Sequence, residues 1–321
     1  MSDPALVGDI GGTNARFALV ERGNLEPREI LRLSCADYPT LSAAIRDYLA
    51  RVDLGEESLT QACLAFACPV HADLVRLTNN HWSFSKRAVK DELGLTSLKV
   101  INDFTAQALG VPHVRPEELH AIGGGQAIES AVKLVIGPGT GLGVAGVFPG
   151  QHGWIPLPTE GGHVTFAPTD EREANLLRYF RNRYGRVSVE RILCGQGLLD
   201  LYGAHCSLKG AKPRYTTPAE VTDAANEGDD IAVDTVQRFL KILGDVSGDA
   251  ALTLGAQGGV YLCGGILPRL LEWMPQSRFR DAFADKGRMS DYTADIPTWV
   301  VTAPWTGLLG AAEALHNEEV A

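Results

Sequence analysis

The sequence predicts a two-lobed α/β protein with a mixed sheet in each lobe. Three observations point there. At 321 residues the chain exceeds what one compact core usually fills, so two units of ordinary domain size are expected. Its first hundred residues read strand, strand, strand, helix, strand, helix, strand, the order of a mixed sheet with helices on its faces. One local pattern, strand to glycine turn to strand, also occurs twice, at residues 6–16 and again around 137–143. That echo suggests lobes built as topological repeats.

Residues 6–16 read LVGDIGGTNAR. Asp9 ends an apolar run, Gly11 and Gly12 form the turn, Thr13 adds a hydroxyl, and the apolar run resumes at Phe17. A turn without side-chain bulk lets backbone N–H groups approach a phosphate. A carboxylate beside such a nest suits a Mg²⁺ ion. An ordinary hairpin turn uses the same residue types, so this stretch alone leaves both readings open. Residues 29–35 alternate as a third strand. Thr40 caps a helix whose Leu41, Ile45, Tyr48, Leu49 and Val52 recur at helical spacing. Residues 61–68 form a short buried strand stopped by Pro69, residues 73–79 alternate again, and 85–93 are helical with Gly94 just beyond the end. Residues 98–102 make the next strand, with Asp103 at its end. An Asp there is either a base for a hydroxyl attacking phosphorus or the cap of a helix over 104–109.

Residues 112–116 read as a crossing between lobes. A strand at 132–136 then runs into GPGTGLG and on into VAGV. Polar, proline-bearing loops follow and hold Glu160-Gly161-Gly162-His163. Residues 171–184 are helical, with acids first and arginines last, as the helix dipole favours. Residues 187–197 carry Glu190. Helices over 218–227 and 230–254 precede a buried strand at 259–263, which Gly264-Gly265 turns into 267–274. A late strand at 298–302 and a small-residue helix at 306–316 close the chain.

Composition narrows the class. Hydrophobic residues make 45% and charged residues 21% of a chain with formal charge −10, as in an ordinary globular enzyme. No block of Lys and Arg stands out, which argues against nucleic acid or an anionic membrane as partner. Residues 1–5 have no basic n-region and no apolar run is long enough for a membrane helix. Six cysteines without a C-x-x-C pair point to a reducing, cytoplasmic setting and no structural zinc. The histidines other than His163 have no metal-ligand spacing.

Three glycine turns at strand ends (Gly11-Gly12, Gly139 to Gly143, and Gly264-Gly265) fit a nucleotide clamp: two for phosphates, the third leaving room for a flat adenosine. The Walker spacing is absent, and so is the dinucleotide G-x-G-x-x-G spacing. Glu160, His163 and Glu190 stand among glycines and short loops. Carboxylates, Asn and His suit a ring of hydroxyls that both donate and accept. For Glu190 an ion pair with neighbouring Arg191 is the competing reading.

DIGGTNAR, INDFTAQA, GPGTGLGVA, EGGHVTFAP, VERILCGQGL and LCGGILPR stand in the order seen in bacterial ATP-dependent glucokinases, of the hexokinase–actin–Hsp70 superfamily, and the chain resembles them over nearly its whole length. The resemblance implies an α/β, two-lobed actin-like ATPase fold with ribonuclease-H-like mixed-sheet cores. The smaller lobe would be 1–112 plus 304–321 and the larger 113–303. It implies Asp103 as the catalytic base on the hydroxymethyl oxygen of D-glucose, and Asn102, Glu160, His163 and Glu190 as sugar ligands. Gly8, Asp9, Ile10, Gly11, Gly12 and Thr13 would form the first phosphate loop, with Asp9 near Mg²⁺. Gly139, Thr140, Gly141 and Gly143 would form the second, and Gly264 and Gly265 the adenosine site. MgATP is the implied donor and a homodimer the implied assembly. Pro138 departs from the family pattern by removing one N–H, while Thr140 to Gly143 are expected to keep theirs. A kinase for another hexose is the nearest alternative. A sugar-sensing regulator is a more distant one, since such proteins carry a DNA-binding segment ahead of the first turn.

Overall fold

The computed structural model describes residues 4–21 and 23–320; Met1, Ser2 and Asp3, part of the stretch without a basic n-region, lie outside them. The chain divides into two compact units. One comprises Met1–Arg115, Val147–Pro158 and Ala303–Ala321, the other Pro116–Gly146 and Thr159–Thr302. The sequence reading had left 147–158 with the second lobe. That segment holds a strand which the reading did not see.

In the first unit β1 (Ala5–Ile10), β2 (Asn14–Val20) and β3 (Arg28–Ser34) form a meander, followed by α1 (Leu41–Arg51) and β4 (Gln61–Phe66). A small ribbon, β5 (Leu74–Arg76) with β6 (Ser83–Ser85), leads to α2 (Lys86–Glu92), β7 (Ser97–Asn102) and α3 (Asp103–Gly110). The sheet order is β3-β2-β1-β4-β7. β1 runs antiparallel to β2 and parallel to β4, and β4 is parallel to β7. Leu6, Ile10, Phe17, Leu64 and Phe66 from the sheet pack with Ile45, Tyr48 and Leu49 of α1. Thr40 caps α1, its side chain accepting from Ala43 N–H, as the spacing predicted.

The second unit takes β8 (Leu119–Gly123), β9 (Lys133–Pro138) and the start of β10 (Leu142–Pro149), and β11 (Trp154–Pro158) follows β10. Helices α4 (Glu171–Tyr184), α5 (Gly195–Leu208), α6 (Pro218–Asn226) and α7 (Asp230–Leu254) precede β12 (Val260–Leu262), α8 (Phe279–Ala284), α9 (Ser290–Ala294) and β13 (Thr298–Val301); α10 (Thr306–His316) ends the chain in the first unit. The second sheet is ordered β11-β10-β9-β12-β13-β8. Apart from β8, which pairs antiparallel outside β13, its order repeats that of the first sheet strand for strand. The two recurring glycine turns thus join equivalent strand pairs, β1 to β2 and β9 to β10, as the recurring motif predicted. The fold is of the actin-like class, each sheet in ribonuclease-H order.

All six cysteines are free and buried. No helix among the described residues is long and apolar enough to cross a membrane.

Candidate active site

The parallel strands β1, β4 and β7 end level with one another. Ile10 pairs with Phe66 and Phe66 with Asn102, so the glycine turn after β1 and the Asn102-Asp103 pair after β7 are two strand spacings apart, about 10 Å. Gly11 N–H donates to Asn14 O at 2.9 Å and closes the turn. Thr13 is exposed at its tip, whereas Gly8 and the side chain of Ile10 are buried within the sheet. Gly8 therefore serves packing, and Ile10 has only its backbone to offer a ligand. A Cβ on Gly12 would lie 2.9 Å from the Cβ of Asn79 and 3.0 Å from its carbonyl oxygen, so Asn79 packs directly against Gly12. Only Gly11 has room around it.

Asp9 reaches across the hairpin to Arg16, its partner in the strand register; Arg16 Nη1 donates to Asp9 Oδ2 at 3.0 Å. Burial pushes the Asp9 carboxyl up, and Arg16 pulls it back. Arg16 is a residue the sequence reading passed over, although its place opposite Asp9 in a tight hairpin was the signal.

At the end of β7 the cap is Asn102, not Asp103. Asn102 Oδ1 accepts from Phe104 N–H at 2.9 Å and Thr105 N–H at 3.3 Å. Asp103 is the first helical residue. With Oδ1 committed to the helix and Nδ2 donating to the Phe66 carbonyl at 3.5 Å, Asn102 keeps its second Nδ2 hydrogen for a ligand. Asp103 is not the cap, although its Oδ1 also accepts from Phe104 N–H at 2.9 Å, and its carboxyl is pushed up to about 6, first by burial and then by the negative charge of Asp9. A carboxylate with a proton affinity near neutral suits a base that must accept a proton and later release it.

The second unit gathers the remaining polar candidates. Glu160 precedes a single 3-10 turn, Gly161–His163, and Glu190 lies in another, Val189–Arg191. His163 Nε2 stands 3.8 Å from Glu160 Oε2, and His163 Nδ1 stands 3.8 Å from Glu190 Oε1. Both gaps exceed a hydrogen bond. The three groups form an open row of donors and acceptors, with Glu160 and His163 exposed and Glu190 half-buried. Arg186, another residue not singled out from sequence, donates to the His163 carbonyl at 2.8 Å and holds the turn. The competing reading, a Glu190–Arg191 ion pair, is not what forms. Arg191 lies over the Tyr184 ring, 4.5 Å from its centre, while Glu190 Oε2 accepts from Leu142 N–H at 2.9 Å.

That last bond ties Glu190 to the second glycine turn. There Gly139 N–H donates to Gly141 O at 2.8 Å, so two donors expected for phosphate, at Gly139 and Leu142, are already engaged. Thr140 is exposed at the tip, and Gly139 has open space around it. Gly143 lies one residue into β10. Gly264, at a φ of +93°, rests on the Pro138 carbonyl and brings the third turn against the second, with Gly265 open beside it.

A ribonuclease-H-like sheet in each unit, glycine turns between first and second strands, and a near-neutral Asp after the fifth define a phosphotransferase of the actin-like ATPase class. The sequence matches the Glucokinase family over residues 6–318. It is 70% identical over 320 residues to the glucokinase of Chromohalobacter salexigens, covering all of both chains. To that of Hahella chejuensis it is 56% identical, covering 98% of each. Among solved structures, the glucokinase of an Antarctic psychrotroph superposes with a TM-score of 0.89 at 37% identity, covering 98% of this chain and 99% of that one. The chain belongs to the glucokinase family.

Proposed function

We infer that the protein transfers the γ-phosphoryl group of ATP to the 6-hydroxyl of D-glucose, giving glucose 6-phosphate and ADP, the entry step of glycolysis. Family membership supplies the substrates. The observation in this chain that carries the reading furthest is the Glu160–His163–Glu190 row, whose 3.8 Å gaps are the size that hydroxyl groups bridge. Asp103 accepts the proton of the 6-hydroxyl as its oxygen attacks phosphorus. Glu160, His163, Glu190 and the Asn102 amide hold the other hydroxyls. Phosphoryl transfer asks for positioning and charge neutralisation more than for covalent chemistry. Gly11, Gly12 and Thr13 line one phosphate turn, and Gly139, Thr140, Gly141 and Gly143 the other.

A Mg²⁺ ion fits the donor set. Mg²⁺ takes one or two carboxylates plus substrate phosphates rather than an all-protein cage. No group of three or more His, Cys, Asp or Glu suited to a metal occurs among the described residues, but Asp9 and Asp103 repel each other. Asp9 is the residue that would hold the ion, which supplies neutralisation of the phosphate charge. A cytoplasmic homodimer completes the proposal, supported by the six buried free thiols and by the family resemblance. ADP release measured from MgATP over a panel of hexoses, with a no-sugar control, tests the activity. Turnover confined to glucose is expected; sugar-independent hydrolysis, or faster turnover of another hexose, would overturn it. Sedimentation at working concentration tests the dimer.

A further inference from the structure

We propose that Glu190 is also a positioning residue for the nucleotide: it braces the second glycine turn, so that one side chain serves the sugar and the phosphate loop together. The proposal rests on the reading of Glu190 as a sugar ligand and extends it to the neighbouring loop.

Three contacts carry it. Glu190 Oε2 accepts from Leu142 N–H at 2.9 Å, at the exit of the turn. Five residues further on, Gly195 N–H donates to Gly139 O at 2.9 Å, at its entrance. The segment 190–195 therefore grips the turn at both ends. Between them, Gly141 gives the carboxylate its seat, since a Cβ on Gly141 would lie 2.5 Å from Glu190 Oε2. A glycine expected to make room for phosphate makes room for Glu190.

The carboxylate is divided by task. Oε2 holds the loop, while Oε1 faces His163 across its 3.8 Å gap. The backbone carrying Glu190 is fixed independently of either ligand. Arg191 packs on the Tyr184 ring, and the Tyr184 hydroxyl donates to Asp200 of α5. A hydroxyl bound at Oε1 thus meets a group whose other oxygen already sets the position of the Gly141–Leu142 peptide. A charged acceptor on a backbone N–H is among the stronger hydrogen bonds. Its removal leaves the turn free to sample conformations that do not receive phosphate.

The test is the affinity of the full chain for the Mg²⁺ complex of AMP-PNP, measured by calorimetry without sugar, alongside glucose affinity without nucleotide. Glu190→Ala is expected to raise the nucleotide Kd about tenfold, whereas Glu160→Ala, on the same sugar row but away from the turn, keeps the wild-type value. Glu190→Gln retains an oxygen for Leu142 N–H and is expected to stay within about twofold of wild type for nucleotide while losing glucose affinity. Gly141→Ala, which fills the carboxylate's seat, is expected to match Glu190→Ala and serves in its place if that variant does not fold. Wild-type nucleotide affinity in both Glu190→Ala and Gly141→Ala would overturn the brace. So would a Gln variant as weak as the Ala variant. If Glu190→Ala weakens nucleotide binding with glucose affinity intact, the brace stands and the sugar-ligand reading falls. If glucose affinity alone is lost, the brace falls and that reading stands.

Discussion

Asp103 carries two linked consequences. Its carboxyl sits near 6 because burial and Asp9 both oppose its charge. In the unfolded chain it titrates near an ordinary carboxylate value of about 3.9. A base must be ionised, so kcat/KM for glucose should rise with pH and level off above about 6. Asp103→Asn should lower kcat by about 10²–10⁴-fold with glucose affinity within a few-fold. A profile flat from pH 5 to 8, or near-normal turnover in the variant, would refute the assignment. Stability runs the other way. Between the unfolded and folded values the native state binds more protons, so this group's contribution falls as pH rises through that window. At pH 7 the ionised carboxylate costs about 3 kcal/mol. The Asn variant should therefore melt a few degrees higher at pH 7, an advantage gone below about pH 4, where the carboxyl is protonated in both states. Thermal scans at the two pH values check it. Asn102 shows how far sequence reasoning reaches here. An Asn-Asp pair at a strand end states that one residue caps the helix; only the backbone geometry says which.

At the scale of elements, α3 delivers Asp103 and is itself held by α10. The two helices cross at nearly backbone contact: a Cβ on Gly310 would lie 1.7 Å from the Ala106 carbonyl oxygen, and one on Gly110 2.1 Å from that of Thr306. Gly310→Ala must push the helices apart, at a cost of about 1–3 kcal/mol or more, and moves the helix that carries Asp103, the proposed base. A lower melting temperature together with a lower kcat is expected; unchanged melting would show that the pair yields without strain. This contact is invisible in the sequence, where 306–316 reads only as a small-residue helix. Helices that bury one periodic face were legible to the residue: α4, α7 and α10 have the bounds the spacing predicted. Elements that hide their signal were not. β11 contains Pro156 and Pro158, which an edge strand tolerates, so it reads as a loop. α5 opens Gly-Gln-Gly and reads as a turn, although Cys194 caps it. β8 is a short, largely exposed edge strand. The candidate site was more legible than the fold around it, because its polar residues fall in short loops that periodicity does not need to explain. What those loops touch was not. Asn79 against Gly12 and Glu190 against Gly141 are long-range contacts, and nothing local announces them.

For the molecule as a whole, the repeated sheet order places two glycine turns, far apart in sequence, at equivalent points of their sheets. Each follows the central strand of its sheet, and the outer strands and helices are free to differ. The second unit has used that freedom to bury charge. Lys241 of α7 donates to Glu173 of α4 at 2.7 Å and to Asp245 at 2.8 Å, and Arg238 adds a bond to Glu173 at 2.8 Å. Glu173, one of the acids in the first turn of α4, is fully buried. Burial pushes its carboxyl up, but bonds from Lys241, Thr169 N–H and Arg238 outweigh that and hold it below the ordinary range. Its contribution to stability is thus present at neutral pH and lost as acid protonates it. Asp245, pushed up by burial despite Lys241, works in the opposite sense, so the cluster is poised on the lysine. Lys241→Met should cost about 3–5 kcal/mol, since it leaves Glu173 to Arg238 alone and Asp245 with only the more distant charge of Lys286. Lys241→Met combined with Asp245→Leu should recover a large part of that loss, because Arg238 then suffices for Glu173. Melting temperatures of the two single variants and the double variant, read as a cycle, decide it. A double variant as unstable as the sum of the singles would mean that the lysine acts through packing of its stem and not through the charges it holds.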